Sequence, residues 1–311
     1  MESNGHLDGR VVVITGGAGG FGRLLAAGAA RRGAKVVVTD IAQTGVDEVV
    51  GKIRGDGGTA LGVVADVTRL ADMKERVATA VAEFGAVDVI VNNAGTMPLA
   101  FIADHEQAAE AWDRCIDINI KGVLHGMIAT HDQMIAQGRG HIVNVSSIYG
   151  NFPVVGAAVY GATKAAVNTL SESYRVESQG TIKVTTVRPT GVPATGLSSS
   201  VVNPAAAVGI LGQNFQDYVP ALMGQLTSEQ ADRNSPEFAV LPPDDIAEQI
   251  LYAIDQPWGV SIGDITVRAT GDRYVIRSRA RSAPDDRDRE GNPGARQRRH
   301  GKGATLGRAA R

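Results

Sequence analysis

Short runs of consecutive β-branched and apolar residues alternate along the chain with longer segments in which Ala, Leu and Val recur among charged residues at helical spacing. Strands buried on both faces read as continuous apolar runs, whereas strands with one wet face alternate. The runs fall at 11–15 (VVVIT), 35–40, 60–66, 87–93, 141–147, 182–189 and 264–269. Between them, helices are predicted over 21–33, 44–57, 70–85, 106–138 and 157–180, and each of these segments ends in glycine, a common helix stop. This alternation predicts an α/β domain with a doubly wound, seven-stranded parallel sheet covered by helices on both faces.

Two regions break the rhythm. Residues 191–240 scatter Leu197, Val201, Ile210, Leu211, Phe215, Tyr218, Leu222 and Met223 among Gly, Ser and Pro. So long an insertion late in a compact domain reads as a substrate lid, although any one of its apolar residues could equally pack on the core or on a neighbouring subunit. Residues 278–311 hold nine Arg and one Lys against three Asp and one Glu, a net +6, with a single Leu. Too little apolar surface is available there to fold, so a basic disordered tail is expected after a single domain over 1–277. A nucleic-acid arm is the sharper alternative for the tail.

The rest of the chain of 311 residues then carries −8 of the total −2, which gives no reason to expect nucleic acid or a membrane as partner. No run approaches the length of a membrane span and the N-terminus lacks the apolar stretch of a signal peptide, so the cytoplasm is expected. Cys115 is the only cysteine, which excludes an intrachain disulfide, and it is expected to be a packed thiol. The histidines show no metal-ligand spacing, and no metal is expected.

The first strand runs into TGGAGGFG (15–22) and then a helix. Glycines there let the backbone approach a pyrophosphate resting on the helix N-terminus, in the manner of a Rossmann-like fold. A phosphate-loop NTPase would need Gly-Lys-Ser/Thr, which Phe21-Gly22-Arg23 does not supply. Asp40 closes the second strand, 18 residues after Gly22. An acid at that place accepts hydrogen bonds from an adenosine ribose and repels a 2′-phosphate, and neighbouring Gly17, Ala18, Gly19 and Ile41 offer no cation. NAD is therefore expected over NADP, a turn or capping Asp being the plain alternative.

Further on, Tyr160 and Lys164 stand four apart in a predicted helix and so share a face. An ammonium beside a phenol favours the phenolate, which predicts a lowered Tyr160 pKa and an acid–base group usable near neutrality.

With these residues in view, the chain over roughly 8–270 resembles the short-chain dehydrogenase/reductase family of the type usually called classical. Thr15, Gly16, Gly20 and Gly22 match its glycine spacing. Asp66-Val67 resembles its adenine-contacting pair, and Asn92-Asn93-Ala94-Gly95 resembles the element after its fourth strand. Asn119, Ser147, Tyr160 and Lys164 match its four catalytic residues, while Pro189 and Val192 match the segment along the nicotinamide. The family commonly has Thr five positions after that proline, whereas here Ala194 stands there and Thr195 follows.

The resemblance implies hydride transfer between a nicotinamide and a carbonyl or alcohol carbon. Tyr160 would be the acid/base, Lys164 would bind the nicotinamide ribose, Ser147 would hold the substrate oxygen and Asn119 a relay water. Phe21, Ile41 and the residues just named would line the cofactor. Met97, Tyr149, Phe152 and Val154, with Thr96, Leu99 and Asn151, are the expected substrate walls. They are mainly apolar and point to an uncharged secondary alcohol or ketone. The resemblance also implies a homodimer or homotetramer built on the helices at about 106–137 and 157–179. Two other readings stay open, an NADPH-dependent 3-oxoacyl thioester reductase and a cofactor-sensing protein without turnover.

Overall fold

Seven parallel strands line up in the order β3-β2-β1-β4-β5-β6-β7. They are β1 (Val11–Thr15), β2 (Lys35–Asp40), β3 (Thr59–Val64), β4 (Val89–Asn92), β5 (Gly140–Val145), β6 (Ile182–Pro189) and β7 (Asp264–Val267). The computed structural model describes residues 5–192, 195–207, 220 and 223–272. The middle of the expected lid, with Ile210, Leu211, Phe215, Tyr218 and Leu222, lies outside the described residues, as do Ala194, the boundary expected at 277 and the expected tail.

Strand order reverses between β1 and β4, the place where an open α/β sheet leaves a crevice beyond its carboxyl ends. The continuous apolar runs are explained by two cores, one on each face. Val12, Ile14, Val36 and Val38 point to one side and pack with Leu25, Ile250 and Leu251. Val11, Val13 and Val37, the alternate positions, point to the other and pack with Met73, Val77, Met127 and Val167. Each fully buried aliphatic side chain contributes about 1.5–3 kcal/mol.

The helices of three turns or more among the described residues are α1 (Gly20–Arg31), α2 (Gln43–Gly55), α3 (Leu70–Phe84), α4 (His105–Ile116), α5 (Gly122–Ala136), α6 (Ala158–Glu177) and α7 (Pro243–Ile254). Three differences from the sequence expectation bear on the site. First, β3, β4 and β5 stop short of 66, 93 and 147, because the chain leaves the sheet there to present Asp66, Asn93 and Ser147. Second, the helix expected over 106–138 is broken by a π turn, Asp117–Lys121, centred on Asn119. Third, α7 was not expected, although Pro243 at its start, Asp244 and Asp245 in the first turn, and Ile246, Ile250 and Ile254 at helical spacing spell it out. It packs so closely on α1 that a Cβ at Gly28 would lie 2.4 Å from Leu251 Cδ1. No described helix is long and apolar enough to cross a membrane.

Candidate active site

The carboxyl ends of β1, β2, β4, β5 and β6 open onto one cavity of about 470 Å³. Its floor is the glycine turn after β1. A Cβ on Gly22 would sit 2.1 Å from the Gly16 carbonyl oxygen, so the first turn of α1 presses on the backbone where only glycine fits. Gly16 itself has φ 63°, and Asn93 Nδ2 donates to the carbonyls of Thr15 and Gly16, 3.0 Å each. Thr15 Oγ1 in turn accepts from the N–H of Asn93 at 3.0 Å and of Ala94 at 3.2 Å, sewing the two turns together. The start of α1 carries neither a side-chain cap nor an acid in its first turn, which leaves it suited to phosphate. Gly22→Ala is expected to destabilise the fold by about 1–3 kcal/mol, read as a lowered melting temperature, because backbone on both sides must move. An unchanged melt would mean that the turn is loose.

Asp40 reaches the cavity wall from the end of β2. Its carboxylate is held by the N–H of Ala18 at 3.1 Å and of Ala42 at 3.2 Å. Ile41 beside it is 59% exposed. Asp66 and Val67 follow β3 and, like Ile41, are not among the described residues that line the cavity. Asp66 Oδ1 accepts from the Thr68 N–H and hydroxyl, 2.9 and 2.8 Å. Burial alone would raise its pKa, but those bonds, with Arg114 and Arg69, hold it below the usual carboxylate range. Val67 packs on Gly122 at the head of α5. Pro189 and Val192 lie on the wall after β6 with Thr190, and Thr195 lines it too.

Ser147, Tyr160 and Lys164 converge on the same cavity. Ser147 sits just past β5 in extended backbone, where its hydroxyl accepts from the Tyr149 N–H at 3.2 Å and lies on the cavity wall with Tyr160. Tyr160 and Lys164 do share a face of α6, with the ammonium 5.7 Å from the phenol ring centre. Lys164 Nζ donates to the Val145 carbonyl at 2.9 Å. The predicted lowering of the Tyr160 pKa is corrected by the structure. Burial pushes the phenol up to about 12, the Ser147 hydrogen bond opposing it and Cys115 adding to it. Burial also pushes Lys164 down to about 8. Both groups lose water together, and desolvation of each outweighs what spacing alone suggested.

Asn119 is fully buried under this group. Its Oδ1 accepts from the Thr96 N–H at 3.0 Å, and its Nδ2 donates to Thr96 O at 2.9 Å, Thr163 Oγ1 at 3.1 Å and Cys115 Sγ at 3.2 Å. The far wall is apolar: Met97, Leu99, Tyr149, Leu197, Val201 and Ala207. Phe152 and Val154 are not among the described lining residues and instead pack on the cluster of Cys115, Ile148, Tyr149 and Tyr160. The loop after β6 is pinned to the loop after β4, with Met97 N–H donating to Ser200 Oγ at 2.9 Å and Val202 and Asn203 N–H to Leu99 O at 3.1 and 2.9 Å. Sequence reasoning missed Ser200, Thr190 and Thr163. Ser200 and Thr190 carry no local signal, whereas Thr163 stands beside Lys164 in a helix that was recognised. Among the described residues no cluster of His, Cys, Asp or Glu could hold a metal ion.

The chain is 34% identical over 261 residues to an uncharacterized oxidoreductase of Listeria innocua, covering 84% of this chain and 96% of that one. A short chain dehydrogenase/reductase from Burkholderia phymatum, solved in complex with NAD, aligns with a TM-score of 0.68 and 27% identity over 84% of this chain and 89% of that one. A metagenomic short-chain oxidoreductase solved with NADP aligns with a TM-score of 0.65 and 27% identity over 85% and 98%. Residues 10–205 match the family described as short chain dehydrogenase, so this chain is an oxidoreductase that belongs to the short-chain dehydrogenase/reductase family.

Proposed function

We propose that the protein is an NAD(H)-dependent alcohol dehydrogenase or ketone reductase acting on an uncharged, mainly apolar secondary alcohol or ketone. One observation carries the reading. A single cavity has the Asp40 carboxylate at one end and Ser147, Tyr160 and Lys164 at the other, and these two, Asp40 and Lys164, are the only charged side chains among its described walls. The cavity floor at Gly16, Gly19 and Gly20, where a Cβ on Gly19 or Gly20 would meet nothing, fits a pyrophosphate, and the fixed carboxylate of Asp40 fits ribose hydroxyls and disfavours a 2′-phosphate. With no arginine among those walls to clamp a carboxylate or phosphate, an uncharged substrate matches the apolar end.

Bound nicotinamide supplies or takes the hydride at the substrate carbon. Tyr160, a neutral phenol at neutral pH, gives its proton to a carbonyl oxygen placed against it. Ser147 offers its hydroxyl hydrogen to whichever oxygen bears charge, the developing alkoxide or the phenolate. Lys164 keeps one N–H on Val145 O, which leaves two that would hold the ribose hydroxyls of a bound cofactor. Asn119 holds the π turn beneath, where a relay water would sit. Leu124, Ile128 and Ile135, exposed along α5, support a homodimer or homotetramer.

The test is a panel of linear, cyclic and aryl secondary alcohols with NAD⁺ and NADP⁺ in parallel, following reduced-nicotinamide absorbance. Turnover is expected with NAD⁺ on cyclic or aryl alcohols. Asp40→Ala is expected to cut the NAD⁺ over NADP⁺ preference in kcat/KM by about tenfold or more, one charge-assisted contact's worth. A wild-type preference for NADP⁺ would overturn the role given to Asp40 and favour the thioester-reductase reading.

A further inference from the structure

We propose that Cys115 and Thr163 are positioning residues, which through the amide of Asn119 brace Tyr160 on α6 against the loop Gly95–Thr96. The effect on turnover rests on the reaction proposed above; the brace itself is a matter of hydrogen-bond direction.

The direction of each bond follows from chemistry. The Thr96 N–H can only donate, so the Asn119 atom 3.0 Å from it is the oxygen. The two amide hydrogens of Asn119 therefore face the other way, toward Thr96 O, Thr163 Oγ1 and Cys115 Sγ. Thr163 spends its own hydrogen on the Tyr160 carbonyl at 2.7 Å, so toward Asn119 it can only accept. The Cys115 thiol sits 3.7 Å from Thr96 O, within reach of an S–H donor, and burial pushes its pKa up, which keeps it a thiol. A continuous chain results. It runs from the Tyr160 backbone through the Thr163 hydroxyl to the Asn119 amide, and from there both directly and by way of Cys115 to Thr96.

The links between the two ends are buried, Asn119 and Cys115 at 0% exposed and Thr163 at 1%, and only Thr96 at the end of the chain is half-buried. Three acceptors share the two amide hydrogens, so losing one leaves a longer, bent bond to the rest, and in so dry a place no water makes up the loss. The brace also sets what Lys164 meets. A Cβ grafted on Gly95 would lie 3.3 Å from Asn119 Oδ1 and 3.7 Å from Lys164 Nζ, so the amide oxygen and the ammonium border the same space. Cys115 further packs directly in the cluster of Tyr149 and Tyr160. A packing role and a hydrogen-bonding role for that sulfur therefore make opposite predictions.

Valine keeps the shape of threonine, adds one methyl to the bulk of cysteine, and in both places removes the acceptor; serine loses bulk and keeps it. Cys115→Val and Thr163→Val are expected to lower kcat about tenfold each while KM for the nicotinamide cofactor moves less than about threefold. Cys115→Ser and Thr163→Ser are expected to recover most of that loss. In the protein without cofactor, the side-chain amide of Asn119, followed by hydrogen exchange in nitrogen-15-labelled protein, is expected to lose protection in the valine variants and keep it in the serine variants. Valine variants as active and as protected as the serine ones would reduce Cys115 and Thr163 to packing and overturn the proposal. Should the wild type turn over no alcohol or ketone at all, the proposed reaction falls, and the exchange measurement alone still decides the brace.

Discussion

Tyr160→Phe is expected to lower kcat for carbonyl reduction by about a thousandfold, with the Kd of the reduced cofactor unchanged within about twofold. The substitution removes one oxygen and nothing else of weight. The ring stays 4% exposed in its cluster, edge-on to Tyr149 with centres 6.2 Å apart, and Thr163 still bonds the backbone carbonyl of residue 160. What is lost is the phenol, the one acidic O–H among the described cavity walls that stands beside both Ser147 and Lys164 and is neither bound to a backbone carbonyl nor far from the apolar end. Lys164 is not placed to replace it, with one N–H held on Val145 O and its nitrogen 5.7 Å from the centre of the phenol ring. Cofactor binding, measured by fluorescence of the reduced nicotinamide, would on the proposed reading rest on the glycine turn and Asp40 at the other end, and is expected to persist. A fall of less than about tenfold would remove Tyr160 from the proton transfer. A parallel loss of cofactor affinity would show instead that the phenol holds the nicotinamide in place.

The residues of this site were legible because the physics that demands them is local. Gly16 and Gly22 must be glycine for a close approach of two backbone segments, and Tyr160 and Lys164 meet because helices repeat every 3.6 residues. Apolar runs likewise reported a sheet buried on both faces. They did not report where pairing ends, since Asp66, Asn93 and Ser147 continue the sequence of each strand while leaving its ladder. The π turn at Asn119 was equally hidden, because one extra residue per turn leaves the apolar spacing of α4 and α5 intact on either side. α7 was legible and overlooked. The direction of the Tyr160 shift could not be read from spacing at all, because desolvation depends on how much chain closes over the pair, and that is a property of the folded whole.

That shared burial leads to the second large effect. Lys164→Met is expected to lower kcat about a hundred- to a thousandfold and at the same time to raise the melting temperature of the cofactor-free protein. In the folded chain the ammonium is pushed from 10.5 down to about 8 by loss of water, and the side chain is 5% exposed. Between those two values the unfolded chain holds more protons than the folded one, so this lysine makes stability rise with pH across that window. Below about pH 8 both states are charged and the full penalty stands, about 3 kcal/mol at order of magnitude. Methionine removes the penalty and leaves Val145 O without its donor, a loss of about 1 kcal/mol. The net gain is about 2 kcal/mol at neutral pH, or roughly 5 °C in a domain of this size. It should shrink as pH rises from 8 to 10.5, above which the wild-type lysine becomes neutral in both states. Lys183, also pushed down to about 8, is present in both proteins and cancels from the comparison. Melting curves of the two proteins across that range decide the matter. A variant that melts lower than wild type at pH 7, or a difference that stays flat through the window, would mean that the ammonium is well solvated or well paired in the folded state. Lys164 would then no longer be a charge held at the expense of stability for the sake of the reaction.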